Sequence, residues 1–435
     1  MIQMEDMFSF GDWNQSILIA KDKAFFKDGD GIVLSGDAEV RFDLLPEPGI
    51  KIHVKNILYF DLEKTIQLSS LAFQPLDLEL ENIGKPIKGG MSVNNIFKSK
   101  SFVWSSHEPI VGIGNDDTQL QYVVSHLFNF KDIFTTMSLK YENWVVELQP
   151  STKHEEHFKK LNTHGGYAFT HHIYIKKADN ASFTVKEAEE MLLALFWFFS
   201  FAKGSWCAPI CSVGFDSSDK SVWENWKSSR VSSFSDPISW FDELNPKQLD
   251  DLFSGFMRCW YTENLNDILR KAIYWYISSI HSNADVRIVL TQTVLEGMSF
   301  GYIVNVLKKK KADVFTRLSA SIKISSLFDN LELTSYCIDG VMEDIPKLKR
   351  VTEELGWKVN ALEAFVSVRN SLVHPNEKYR GKFNSHVYHE TSYLGLWYIE
   401  LSLLKLCNYY GKYYNRLTLK SKGEIEDVPW KYKAV

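Results

Sequence analysis

Cysteine is scarce in this chain: five residues in 435, Cys207, Cys211, Cys259, Cys337 and Cys407, an odd number and mostly far apart. That pattern excludes a disulfide-stapled extracellular scaffold and fits a reducing compartment. A general excess of positive charge is missing too. With a formal net charge of -5, any contact with nucleic acid has to be made by a local basic patch. No apolar run is long enough to span a bilayer unaided, since MLLALFWFFSFA at 191–202 falls short of the roughly 20 residues required. The opening residues MIQMEDMFSFGDWNQS have neither a basic segment nor a long apolar core, so no signal peptide and no membrane partner are expected, and the default is a cytoplasmic protein. Walker-type phosphate loops, dinucleotide fingerprints, nucleophile elbows and internal repeats are absent, and no cofactor or metal is expected.

What is present is a well-packed composition, 14% aromatic, in a chain long enough for two or three domains. To about residue 180 the texture is short and alternating, as in AEVRFDLL, GIKIHVKNILYFDL, NWVVELQP and GYAFTHHIYIKKA, punctuated by Gly, Asp, Asn and Pro. A period of two with turn residues between predicts antiparallel β-structure. SFTVKEAEEMLLALFWFFSFAKGS then predicts a helix, capped by Ser182 or Thr184, with Glu187, Glu189 and Glu190 near its positive end. CAPICSVGFD is expected to return as a strand, and the Ser- and Asp-rich stretch over 216–248 to join two domains. Beyond it, apolar residues recur at three- and four-residue intervals in five segments, which predicts an α-bundle. The expected class is α+β multidomain: a β-rich domain over 1–235 and an all-α bundle over 236–435.

One helical segment ends in VRNSLVHPNEKY, Val368 to Tyr379. Arg369 and His374 are five residues apart, about 140° on a continuous helix, so they would not share a face. Pro375 disfavours helical geometry at His374 and predicts a helix end there, which frees the imidazole to swing toward the arginine. Such a pair suits phosphodiester chemistry. Histidine can exchange a proton with a ribose 2′-hydroxyl or a leaving 5′-oxygen, and a forked guanidinium matches phosphate oxygens. The bland alternative is structural, with Arg369 complementing the helix dipole and His374 capping the last carbonyls. Spacing alone does not separate the two readings, because RGKFNSH, Arg380 to His386, meets a similar rule.

RNSLVHP, placed after the amphipathic NALEAFVSV and before a long aromatic helix, resembles the Arg-polar-x-x-x-His signature of HEPN domains. RIVLTQTVLEGM, with Glu296, resembles the second core helix of that fold, and a β-rich half preceding it is similar to the ApeA-like anti-phage abortive-infection proteins. The resemblance implies a metal-independent ribonuclease. Arg369 would hold the scissile phosphate, Asn370 would be the polar residue after it, and His374 would be acid or base. It also implies an RNA substrate cut to a 2′,3′-cyclic phosphate and a 5′-hydroxyl, a homodimer or higher even assembly that pairs two motifs in one cleft, and a phage-derived trigger read by the β-rich domain. Other function classes stay open: a non-catalytic adaptor that binds RNA or nucleotide, or a ligand-binding β-domain joined to a helical dimerisation domain.

The densest basic run, Lys308, Lys309, Lys310 and Lys311, is either a solvated loop or a set of sequence-blind phosphate contacts. Lys378, Arg380 and Lys382 are candidates to line the same RNA path. His281 and Tyr379 are more economically read as helix-end and loop residues. CAPIC, with His164, His171 and His172 as distant partners, reads as buried thiols before it reads as a zinc site. HEEH, His154 to His157, lacks zinc-protease spacing and is expected to be exposed polar chain.

Overall fold

A computed structural model of the chain describes residues 13–28, 31–59, 77–82, 86–92, 101–106, 110–357, 359–374, 381–418 and 421–431. The chain divides into two compact units: Met1–Thr136, Asn143–Leu195 and Cys207–Ser235 form the first, and Met137–Glu142, Phe196–Trp206 and Asp236–Val435 the second. A β-rich amino-terminal region is followed by a helical carboxy-terminal region, so the chain is α+β and multidomain.

In the first unit, alternation closes a sheet on itself. The strands β1 (Ile17–Asp28), β2 (Gly31–Asp43), β3 (Gly49–Tyr59), β4 (Asp77–Leu80), β5 (Pro86–Ser92) and β6 (Ser101–Ser106) form an antiparallel barrel in the order β1-β2-β3-β6-β5-β4. Along β2, Ala38, Val40 and Phe42 are buried, while Glu39 and Arg41 between them pair at 2.8 Å. Two-residue periodicity thus sends one set of side chains inward and the other to the surface. Pairing of β1 with β4 over Ala24–Lys27 closes the barrel.

The same unit holds a second antiparallel sheet. It comprises β7 (Ile110–Ile113), β9 (Tyr122–Phe128), β11 (Trp144–Pro150), β12 (Phe169–Lys177), β14 (Ile210–Phe215) and β15 (Ser221–Trp226), in the order β11-β12-β9-β14-β15-β7. A short pair, β8 (Gln119–Leu120) with β13 (Phe183–Thr184), accompanies it. CAPICSVGFD does return as a strand, β14. The Ser- and Asp-rich stretch, however, contains β15, paired on both sides by β14 and β7, because Val222, Trp223 and Trp226 outweigh the polar composition around them.

HEEH is not exposed chain. It opens the helix α1 (His154–His164), where His154, His157, Phe158 and Leu161 are buried, a spacing that marks one helix face. His157 donates from Nδ1 to the Phe169 carbonyl at 2.6 Å, and His171 on β12 from Nε2 to the Ile133 carbonyl at 3.0 Å. His126 on β9 faces the Ile210 and Cys211 carbonyls at 3.3 and 3.2 Å. Burial, reinforced by a neighbouring histidine in each case, pulls both His126 and His171 down to about 3. They are neutral hydrogen-bonding groups of the core.

The helix α2 (Val185–Lys203) begins where a cap was expected. Thr184 Oγ1 accepts from the Glu187 N–H at 3.3 Å, and Glu187 Oε2 accepts from the Thr184 N–H at 2.9 Å, a reciprocal capping box.

The second unit contains β10 (Met137–Tyr141) and the helices α3 (Lys247–Tyr261), α4 (Leu265–Ile280), α5 (Ala284–Phe300), α6 (Ala312–Thr316), α7 (Ala320–Asn330), α8 (Pro346–Glu354), α9 (Ala361–Val373) and α10 (Ser385–Leu406). The five periodic segments did not include α3, and the last of them, TSYLGLWYIELSLLKLCNYYGKYYNRL at 391–417, ran past the end of the helix at Leu406. The chain leaves α10 at Leu406 and forms a small hairpin, β16 (Lys412–Tyr413) with β17 (Glu426–Asp427). α5 packs on α4, α7, α9 and α10. A Cβ at Gly395 of α10 would lie 2.3 Å from Thr291 Oγ1 of α5 and 2.9 Å from Phe365 of α9, so glycine permits this close crossing.

One ion pair lies wholly inside the bundle. Arg416, beyond α10, donates from Nε to Glu400 at 2.8 Å, again to Glu400 from its second fork, and to the Ile238 carbonyl at 2.9 Å. Tyr276 of α4 donates to the same carboxylate. Burial alone would lower the Arg416 pKa, but the Glu400 carboxylate outweighs it and raises it. Removing one partner leaves an uncompensated buried charge. Arg416→Met is therefore expected to lower unfolding stability by about 3–5 kcal/mol in urea titration.

The histidines set an acid limit. Because His126 and His171 ionise near 3 when folded and near 6.5 when unfolded, the unfolded state binds more protons in that window. Their contribution is intact above pH 6.5 and is lost as pH falls toward 3, by up to about 1.4 kcal/mol per pH unit for each ring. Thermal melts from pH 7 to 4 should show it, and His171→Phe should flatten the slope.

Candidate functional site

The helix α9 starts at a full capping box. Asn360 Oδ1 accepts from the Glu363 N–H at 2.9 Å, and the Glu363 carboxylate accepts from the Asn360 N–H at 3.2 Å. Ala361, Leu362, Ala364, Phe365, Val366 and Val368 are buried, which fixes the rotation of the helix. The last turn therefore carries Arg369 half-buried and Asn370 at the surface.

The helix ends at Val373, with His374 as its C-cap at φ -123° and ψ 79°. The expected stop before Pro375 is observed, and Pro375 itself lies outside the described residues. The His374 N–H still donates to the Asn370 carbonyl at 2.8 Å, yet its ψ has left the helical range and its side chain is exposed. Arg369 donates from one terminal nitrogen to Asn370 Oδ1 at 3.3 Å, while its buried Nε has no hydrogen-bond acceptor. A guanidinium has five N–H donors, of which the one bond above uses a terminal N–H. An exposed imidazole and a half-buried guanidinium thus close the same helix. Chemically, these are a group able to transfer a proton and one able to bind an oxyanion.

The basic candidates are dispersed. Lys308, Lys309, Lys310 and Lys311 are all exposed between a π-helical turn, Gly301–Val306, and α6. Lys309 donates to Asn330 at the end of α7. No hydrogen bond or ion pair among the described residues joins this run to Arg369 or His374. Lys382 is exposed in the turn before α10, whereas Lys378, Tyr379 and Arg380 lie outside the described residues. His386 sits in the first turn of α10, its N–H held by Asn384 at 3.1 Å. His281 is the C-cap of α4 and hydrogen-bonds Ser205 at 2.8 Å, as a helix-end residue would. Glu296 is half-exposed, accepts from Gln292 at 2.9 Å and pairs with Lys323 at 3.1 Å.

Two features have no signal in the sequence. A cavity of about 560 Å³ is lined by Asp329, Glu332, Tyr336, Lys405, Tyr410 and Trp430 among others. Lys405 there pairs with Glu332 at 3.3 Å and lies over the Tyr410 and Trp430 rings, so its charge is met within the protein. The second feature is the approach of Cys259 to Cys407, two residues far apart in the chain. Cys207 and Cys211 of CAPIC are buried thiols, and no group of three or more His, Cys, Asp or Glu among the described residues could hold a metal ion. Among those residues, no helix is long and apolar enough to cross a membrane.

The fold and helix end define a two-part α+β chain with a polar helix terminus. Residues 115–237 match the YopA central domain, and residues 262–427 match the YopA C-terminal domain. The chain is also 27% identical over 312 residues to the SPbeta prophage-derived uncharacterized protein YopA of Bacillus subtilis (strain 168), a match covering 67% of this chain and 65% of that protein. These descriptions name no activity. No solved structure matches the chain.

If Arg369 and His374 are kept for chemistry and not for folding, replacing them costs little. Arg369→Ala and His374→Ala are each expected to change unfolding stability by less than about 1 kcal/mol, measured by urea or thermal denaturation.

Proposed function

We propose that this chain is a metal-independent endoribonuclease of the HEPN type, acting in the cytoplasm in anti-phage defence. The observation that carries the reading is the end of α9, where the helix stops at His374 with its side chain exposed and Arg369 sits half-buried in the last turn. His374 exchanges the proton, taking it from a ribose 2′-hydroxyl or supplying it to the leaving 5′-oxygen. Arg369 holds the phosphate and stabilises the charge that builds on its oxygens. Asn370 orients the guanidinium through the 3.3 Å hydrogen bond. The products are a 2′,3′-cyclic phosphate and a 5′-hydroxyl.

One such motif per chain calls for a homodimer or a higher even assembly, in which two motifs share a cleft. An enzyme of this kind must stay silent until infection, so the β-rich unit is assigned the sensing of a phage-derived trigger. The relative's printed description places that protein in a prophage; a resident phage gains from halting a competing one, and this is compatible with a defence role.

The test is RNA cleavage by the purified chain with chelator present, with phage lysate added as a source of trigger. Cyclic-phosphate ends are expected from the wild type, with a loss of about 100-fold or more in Arg369→Ala and His374→Ala at unchanged melting temperature. Equal cleavage by all three proteins would reject the assignment. Replacing Lys308, Lys309, Lys310 and Lys311 by Ala should weaken RNA binding uniformly across sequences. It should also flatten the salt dependence by about 0.7 for each phosphate that is no longer neutralised, read by fluorescence anisotropy at several salt concentrations.

A further inference from the structure

Of the five cysteines, two that are distant in sequence meet inside the helical unit. Cys259 lies in the last turn of α3, and Cys407 is the C-cap of α10. Cys259 Sγ donates to the carbonyl of Leu406, the residue before Cys407, at 3.3 Å. The helix α3 presses on this point through Gly255, where a Cβ would stand only 1.8 Å from the Cys407 carbonyl oxygen. That close approach holds the end of α3 against the end of α10.

We propose that Cys259 and Cys407 form a peroxide-sensitive dithiol, oxidised to an intramolecular disulfide that ties the end of α3 to the end of α10. In the first step the Cys259 sulfur attacks one oxygen of a hydroperoxide. The O–O bond breaks, Cys259 becomes a sulfenic acid, and water or an alcohol leaves. In the second step the Cys407 sulfur attacks the Cys259 sulfur, the S–O bond breaks, and a second water carries off the oxygen with the Cys407 proton. The two thiols together lose two electrons and the peroxide gains them. Reduction by a small thiol reverses the bond.

Cys259 is the attacking thiol for two reasons. It keeps 4% exposure against 1% for Cys407, and its pKa is lowered by the Cys407 thiol and the Arg258 charge against the effect of burial, while burial raises that of Cys337 and lifts that of Cys211 to about 12. A thiol held toward its thiolate reacts first.

The proposal is independent of the ribonuclease reading. Its test treats the full chain, purified under reductant, with hydrogen peroxide, then maps peptides by mass spectrometry without reduction and counts thiols in denaturant. A peptide pair joined through Cys259 and Cys407 is expected, with titratable thiols falling from five to three and returning to five with dithiothreitol. Cys259→Ser and Cys407→Ser should each abolish the cross-link. Sulfinic or sulfonic acid at Cys259 without a cross-link would overturn the proposal. So would a bond through another cysteine, or five surviving thiols under peroxide that oxidises free cysteine. If a serine variant fails to fold, the wild-type peptide map alone decides.

Discussion

The helical unit is organised around the buried pairing of Glu400 with Arg416. Two full charges at 0% and 2% side-chain exposure are costly to desolvate, and the cost is offset only when every lone pair and N–H has a partner. Here the carboxylate accepts from Arg416 and Tyr276, and Arg416 also reaches the Ile238 carbonyl. These hydrogen bonds join the start of the unit, α4, α10 and the segment after α10. The Tyr393 ring lies 5.7 Å from both the Arg416 and the Arg287 guanidinium, and Arg287 donates to the Ser279, Ile280 and Ser282 carbonyls at 2.8–3.0 Å, closing the end of α4. A polar centre of this kind tolerates one arrangement of its elements where an all-apolar core would tolerate several.

The first unit buries polar groups differently. His126 and His171 are kept neutral by burial and hydrogen-bond backbone carbonyls, as His126 does at the irregular β9–β14 pairing. Aromatic edges fill the remaining space, with Phe169 near both His126 and His172. The two units thus solve the same problem by opposite means, one by pairing charges and the other by suppressing them. Stability in acid is accordingly a property of the β-rich unit before it is one of the bundle.

The candidate site draws on that rigidity without sharing its interior. α9 is anchored by its capping box and by Phe365 against the Tyr398 ring, 6.0 Å away, while its end exposes Asn370 and His374 and keeps Arg369 half-buried. Placing reactive groups where a rigid helix stops combines fixed position with open valence. The carbonyls and side chains of a helix terminus have no intrahelical partners to satisfy them.

Much of this was legible in the sequence, because strand alternation, helical periodicity, the Thr184 cap and the stop before Pro375 depend on neighbouring residues alone. Local patterning therefore determined the α+β class, the order of the two regions and the end of α9. HEEH shows where composition misleads: four polar letters hid a buried face at positions 154, 157, 158 and 161, which the helical spacing of Phe158 and Leu161 would have disclosed. The β15 strand was hidden by serines in the same way. Only the tertiary structure decided that Glu400 meets Arg416, that Cys259 meets Cys407, and that the lysine run stands at the end of α7. Each of these meetings joins residues beyond the reach of one helical repeat, and their proximity is set by how the elements fold back on one another, a quantity no local pattern encodes.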